Sequence, residues 1–184
     1  MREKHAGGYR LMITRRNFLQ AMAAAAVFYP LRSVIASDTA ERRLNLYNIH
    51  TDESLDITYF SEGRYDFEAL GRINHLLRCH YNNQVKPMDI RVLDLLCDVK
   101  NRLGADKEIQ IISGYRSPEY NDYLRSIGRN VAKKSFHMKG TAIDFSIKGF
   151  NVSSLSSAAK SFLSGGVGQY PEFVHIDTGP VRFW

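Results

Sequence analysis

The period of the apolar positions changes along the chain, and each period predicts an element. Leu44 and Leu46 alternate with Asn45 and Tyr47, which predicts a short strand near 42–49. Turn residues occupy 50–54, and alternation resumes from Leu55 to Phe60, so the two runs predict a β-hairpin. The period then lengthens. Asp66 is placed to cap a helix whose apolar face holds Phe67, Leu70, Ile73, Leu76 and Leu77. Pro87-Met88-Asp89 opens a second helix with Ile90, Leu93, Leu96, Cys97 and Leu103 on one face, ended by Gly104. A buried strand is predicted over 108–112. Ser117-Pro118-Glu119 begins a short helix that Gly128 closes. A strand over 141–147, a small-residue helix over 152–163 and a last strand over 173–177 complete the order. The reading is an α+β fold, a small antiparallel sheet flanked by helices. Residues 37–184 show no repeat, no low-complexity linker and no second domain.

Composition narrows the picture. The chain has 184 residues, 44% of them hydrophobic, with ten Phe and ten Tyr, which excludes disordered and collagenous classes. A chain of this size buries roughly 70% of its unfolded surface, so it needs no staples. Two Cys are too few for a disulfide scaffold or a four-Cys zinc site. Cys97 falls on an apolar helix face and Cys79 near a helix end, and both are expected to be free thiols.

The formal charge of +6 invites a nucleic-acid reading until the charges are located. Residues 1–36 carry Arg2, Lys4, Arg10, Arg15, Arg16 and Arg32 against Glu3 alone. The remaining 148 residues hold 19 basic and 18 acidic side chains, or +1. The same segment has the order of an export signal: a basic start, an apolar run from Phe18 to Tyr29, and small residues at Val34 and Ala36. That run, about 12 residues, is too short to span a bilayer core, which needs roughly 20. Arg15-Arg16-Asn17-Phe18-Leu19 resembles the twin-arginine signal. The expectation is a twin-arginine signal peptide over 1–36, cleavage after Ala36, and a periplasmic domain over 37–184. That domain has no stable membrane span and no nucleic-acid partner.

Candidate chemistry gathers in three segments: 113–117, 135–144 and 173–177. Along 141–147 strand parity puts Ile143, Phe145 and Ile147 on one face and Asp144 on the other. Along 173–177 it puts Val174 and Ile176 on one face, with His175 and Asp177 opposite. If the two strands pair, Asp144 and His175 share a side, and the bend at Lys139-Gly140 can bring His137 over it. Two imidazoles and a carboxylate with an open fourth position are the donor set of a catalytic zinc site. Such an ion polarises a carbonyl and lowers the pKa of water to about 7. His50, His75 and His80 fit no such arrangement. His-x6-Asp is a weak pattern alone. Ser-x-His-x2-Gly-x-Ala-x-Asp followed by a strand with His is far more specific.

Those motifs, with Ser113-Gly114-Tyr115-Arg116-Ser117 and the tail segments 165–168 and 173–184, resemble a superfamily of zinc peptidases. It includes D-Ala-D-Ala dipeptidases, D,D-carboxypeptidases and phage endolysins, and the chain is most similar to its YcbK-like murein endopeptidases. The resemblance covers nearly all of 37–184. It implies one zinc ion held by His137, Asp144 and His175. It implies Arg116 as the group that holds a substrate carbonyl or carboxylate and stabilises a developing oxyanion, and Ser135 as a substrate hydrogen-bonding residue. For the general base, Glu172 comes first, three residues before the last ligand, and Asp177 second. Asp177 is also placed to orient a ligand histidine. The implied reaction is metal-assisted hydrolysis of peptide cross-links in peptidoglycan. A D,D-carboxypeptidase or dipeptidase and a non-catalytic murein-binding module are the alternatives.

Overall fold

A computed structural model describes residues 41–104 and 106–184. The expected signal segment lies outside them. The described residues open with the antiparallel pair β1 (Arg42–Asn48) and β2 (Glu53–Ser61), extended by the short β3 (Arg64–Tyr65). Next come α1 (Phe67–Leu76), α2 (Ile90–Arg102) and β4 (Ile109–Ser113). Then follow α3 (Pro118–Ser126), a 3-10 turn (Phe136–Lys139), β5 (Ala142–Ile147) and α4 (Val152–Lys160). The chain closes with β6 (Gly166–Gln169), β7 (Val174–Asp177) and β8 (Arg182–Phe183).

The helix starts follow from capping chemistry. Asp66, Asp89, Ser117 and Asn151 each accept a hydrogen bond from a backbone N–H of the first turn that lacks a helical partner. Each cap is worth about 1 kcal/mol. Pro118 sits at the first position of α3, where its missing N–H costs nothing.

Among the described residues the strands form one eight-stranded sheet in the order β3-β2-β1-β4-β5-β7-β6-β8. The sequence predicts a small antiparallel sheet, and the observed one is larger and mixed. β1 lies parallel to β4, and β6 parallel to β8. The first parallel pair requires a long crossover, which α1 and α2 supply. The segment that carries the site, β4-β5-β7-β6, is antiparallel throughout.

Strand alternation divides the sheet into two faces. Ile109, Ile111, Ile143, Phe145, Ile147, Val174 and Ile176 are almost fully buried. They join Leu44, Leu46, Ile73, Leu93, Leu96 and Leu155 in the core. α1 packs on β2, α2 on β1 and β7, and α4 on β5, β6 and β7. The residues that alternate with them, Asp144, His175 and Asp177, point to the opposite face. Cys79 and Cys97 are both buried and free. Among the described residues no helix is long and apolar enough to cross a membrane.

Candidate metal centre

Asp144 of β5 pairs directly with His175 of β7, and Ala142 with Asp177, so all three polar side chains share one face. A bulge adjusts the neighbouring strand. Ile111 pairs with Phe145, but Ser113 rather than Ile112 pairs with Asp144, so β4 carries one extra residue there. The bulge turns the Ser113 hydroxyl toward the site, 3.5 Å from His137 Nδ1 and 3.3 Å from Arg116. His137 arrives from the 3-10 turn. Ser135 caps that turn by accepting from the His137 N–H, and Gly140 ends it at φ 71°, a left-handed conformation that suits glycine. A Cβ on Gly140 would also lie 2.6 Å from the Pro87 carbonyl oxygen.

Three atoms converge here. His175 Nδ1 is 2.7 Å from Asp144 Oδ1 and 3.2 Å from His137 Nε2, and His137 Nε2 is 3.3 Å from Asp144 Oδ1. The partners on the far sides of the rings set the protonation of each imidazole. His137 Nδ1 lies 2.8 Å from the Gly114 carbonyl oxygen, which only accepts, so that nitrogen carries the proton. His175 Nε2 lies 3.0 Å from Asp177 Oδ2 and donates to it. In the neutral rings the remaining nitrogens, His137 Nε2 and His175 Nδ1, then present lone pairs to Asp144. One shared proton satisfies one edge of this triangle, whereas a cation satisfies all three corners. The donor set therefore fits a divalent ion, and the partners behind the histidines have the arrangement that fixes metal-binding imidazoles. It is the one group among the described residues with this geometry.

The charges of the cluster compensate one another. Burial disfavours the Asp144 carboxylate, but the His137 and His175 rings outweigh it and hold its pKa below the usual range. Burial likewise opposes the His175 imidazolium, and the bonds to Asp144 and Asp177 overcome it, raising the pKa to about 9. Asp177 is fully buried and accepts from His175, from both terminal nitrogens of Arg182, and from the Gly166 and Gly179 N–H groups. Those bonds outweigh its burial and keep it ionised. Arg116 is buried, and loss of solvation lowers its pKa, with Asp144 opposing the shift. Among the described residues its one carboxylate neighbour, Asp144 Oδ2, is 4.0 Å away, and its Nε has no hydrogen-bond partner.

Arg116, Ser135, His137, Asp144 and His175 line one cavity of about 270 Å³ together with Tyr170, Phe173, Arg182 and Trp184. Two of the residues singled out from sequence lie elsewhere. Glu172 is exposed and does not line the cavity. It occupies the tip of the β6–β7 connection, beside Pro171, where Tyr170 N–H donates to the Phe173 carbonyl oxygen and closes the turn. Asp177 lies behind His175, and both its oxygens are engaged, by His175, Arg182, Gly166 and Gly179. Sequence reading missed four contributors: the Gly114 carbonyl, Arg182, Tyr170 and Trp184. A backbone carbonyl has no sequence signature. Arg182 and Trp184 stood in the motif-bearing tail without a partner to define them, and Tyr170 fell between the quoted motifs.

The sequence profile described as peptidoglycan L,D-endopeptidase MepK matches residues 36–184. The chain belongs to that family. Its relatives include the peptidoglycan L,D-endopeptidases MepK of Escherichia coli strain K12 and of Shigella flexneri. Each is 43% identical over 169 residues, covering 90% of this chain and 93% of the relative. A probable peptidoglycan L,D-endopeptidase MepK of Haemophilus influenzae is 40% identical over 157 residues, covering 83% and 84%. No solved structure matches the chain.

Proposed function

We propose that this member of the MepK family is a zinc-dependent peptidoglycan endopeptidase that hydrolyses L,D peptide bonds in cell-wall cross-links. The observation that carries the reading is the convergence of His137 Nε2, Asp144 Oδ1 and His175 Nδ1 beside a buried arginine. His137, Asp144 and His175 would hold the ion. It would supply Lewis-acid polarisation of the amide carbonyl and a water acidic enough to attack near neutral pH.

The protein's own groups do the rest. Gly114 and Asp177 keep a proton on the outer nitrogen of each histidine, so the inner nitrogens stay available. Arg182 keeps Asp177 ionised. Arg116 sits in a poorly solvated wall with Nε unpaired, so it can donate to a carbonyl oxygen that gains charge. A donor of that kind contributes about 10²- to 10³-fold to rate. Ser135 holds the turn that presents His137, and its place on the cavity wall leaves it within reach of substrate. Residues 1–36 act as a twin-arginine signal that delivers the 37–184 domain to the periplasm, where peptidoglycan lies.

The test is digestion of soluble muropeptides of defined linkage, with product identification by mass spectrometry. Cleavage of the L,D bond within the cross-link is the expected result. Release of free terminal D-Ala with cross-links intact would establish a carboxypeptidase instead. Binding without cleavage would establish a murein-binding module.

A further inference from the structure

The cavity that holds the three converging ligands is also lined by a partly exposed tyrosine with an uncommitted proton. Gly166, Gly168 and Tyr170 follow strand parity onto the face of His175 and Asp177, and the two glycines pair with those residues. Tyr170 is held twice at the end of β6. Its N–H donates to the Phe173 carbonyl oxygen at 3.0 Å, and its ring stacks on Phe173 at 4.6 Å and 14°. Its hydroxyl lies 3.1 Å from Trp184 Nε1. An indole N–H only donates, so the phenol oxygen accepts this bond and its own proton is directed elsewhere. Among the described residues no protein acceptor takes that proton.

Trp184, about half exposed, is tied to β6 through its backbone. Its N–H donates to Val167, and its carbonyl accepts from Gln169. The Arg182 guanidinium lies 5.0 Å from its ring, and the ring lies 5.5 Å from that of His175. Gly168 leaves the space for it, since a Cβ there would lie 2.5 Å from the indole. The backbone is thus built to place Trp184, and Trp184 places the Tyr170 hydroxyl. Arg116 lines the same cavity.

We propose that Tyr170 is a catalytic residue that acts with Arg116, its O–H donating to the carbonyl oxygen of the scissile amide as charge develops there. Trp184 is its positioning residue. The inference rests on the peptidase reading above and adds to it a second donor. No proton changes hands: the phenol keeps its proton and strengthens its hydrogen bond as the oxygen becomes negative, which selects the transition state over the substrate.

The test uses the full-length protein and a soluble cross-linked muropeptide. Tyr170→Phe keeps the ring and its stack on Phe173 and removes only the hydroxyl. Expected is a loss of about 100-fold in kcat with KM within about twofold, and unchanged metal content. A phosphinate analogue of the scissile dipeptide, measured by calorimetry, should bind Tyr170→Phe weaker by a similar factor. Trp184→Phe should lower kcat several-fold, and the double variant should be no slower than Tyr170→Phe alone, because the indole acts through the phenol. Full kcat and wild-type phosphinate affinity in Tyr170→Phe, with His175→Ala inactive, would overturn the role of Tyr170 and leave the peptidase reading standing. Normal hydrolysis by His175→Ala, or none by the wild type, would overturn the peptidase reading and this proposal with it.

Discussion

Two carboxylates sit in polar networks at different parts of the sheet, and their neighbours differ in kind. Asp94, on α2, is surrounded by donors. Tyr59 and Tyr65 hydroxyls reach it at 3.0 and 2.7 Å, and Arg42 lies at 3.6 Å. Asp144, on β5, faces two imidazole nitrogens that, when both rings are neutral, are acceptors, because the ring protons are directed away from it to Gly114 and Asp177. Donors around an acceptor close a network by themselves. Acceptors around an acceptor leave a site for a cation. The first arrangement ties α2 to β1 and β2 as structure, and the second has the form of a working site. Burial does not separate them well, since both carboxylates are largely shielded.

The largest expected effect breaks the second network. His175→Ala or Asp144→Ala removes one corner of the triangle, and both hydrolysis of muropeptides and bound metal should fall to background. Asp177→Asn acts one step out. It weakens the hold on His175, so metal affinity, measured by competition with a chromophoric chelator, should fall about 10- to 100-fold.

The first network should respond the other way round. Asp94→Ala strands the buried Tyr59 hydroxyl and should cost about 1–3 kcal/mol in urea denaturation, with metal content and kcat unchanged. A metal loss in that variant would erase the distinction between the two networks.

The smallest effect belongs to the Glu53–Arg78 pair, 2.6 Å apart, with the Glu53 side chain 40% exposed. Hydrogen bonds from Arg78 and Thr51 lower the Glu53 pKa from its usual 4.5. The lowered folded value means that its stabilisation is present above about pH 4.5 and lost as pH falls below it. Solvent screening keeps the pair under about 1 kcal/mol. Glu53→Gln should therefore lose that much at pH 7 and match the wild type at the acid end of a pH series.

The parts of this molecule that follow periodic rules were readable before any coordinates. The β1–β2 hairpin, α1, α2 and the opposite facing of Asp144 from Phe145 all follow from alternation or helical spacing. Parity also put His175 with Asp144, and the strands do pair them directly. The misses have physical causes. β6 has no strand signal because two of its four residues are glycine, yet a Cβ at either glycine would meet Arg182 or Trp184 beside the site. The parallel β1–β4 contact joins segments far apart in sequence and carries no local signal. Glu172, with the spacing expected of a base, stands exposed in the turn closed between Tyr170 and Phe173, a placement that residue spacing does not report. The Ser113 bulge and the Gly114 carbonyl are backbone features, and side-chain patterns do not report them.

The central claim is that His137, Asp144 and His175 hold one divalent ion needed for hydrolysis. Metal analysis of the full-length protein beside its His175→Ala variant, each assayed on the same cross-linked muropeptide, tests it most directly. The account predicts one ion per wild-type chain, little or none in the variant, and hydrolysis by the wild type alone. A variant that retains a full equivalent of metal, or that cleaves without it, would contradict the account.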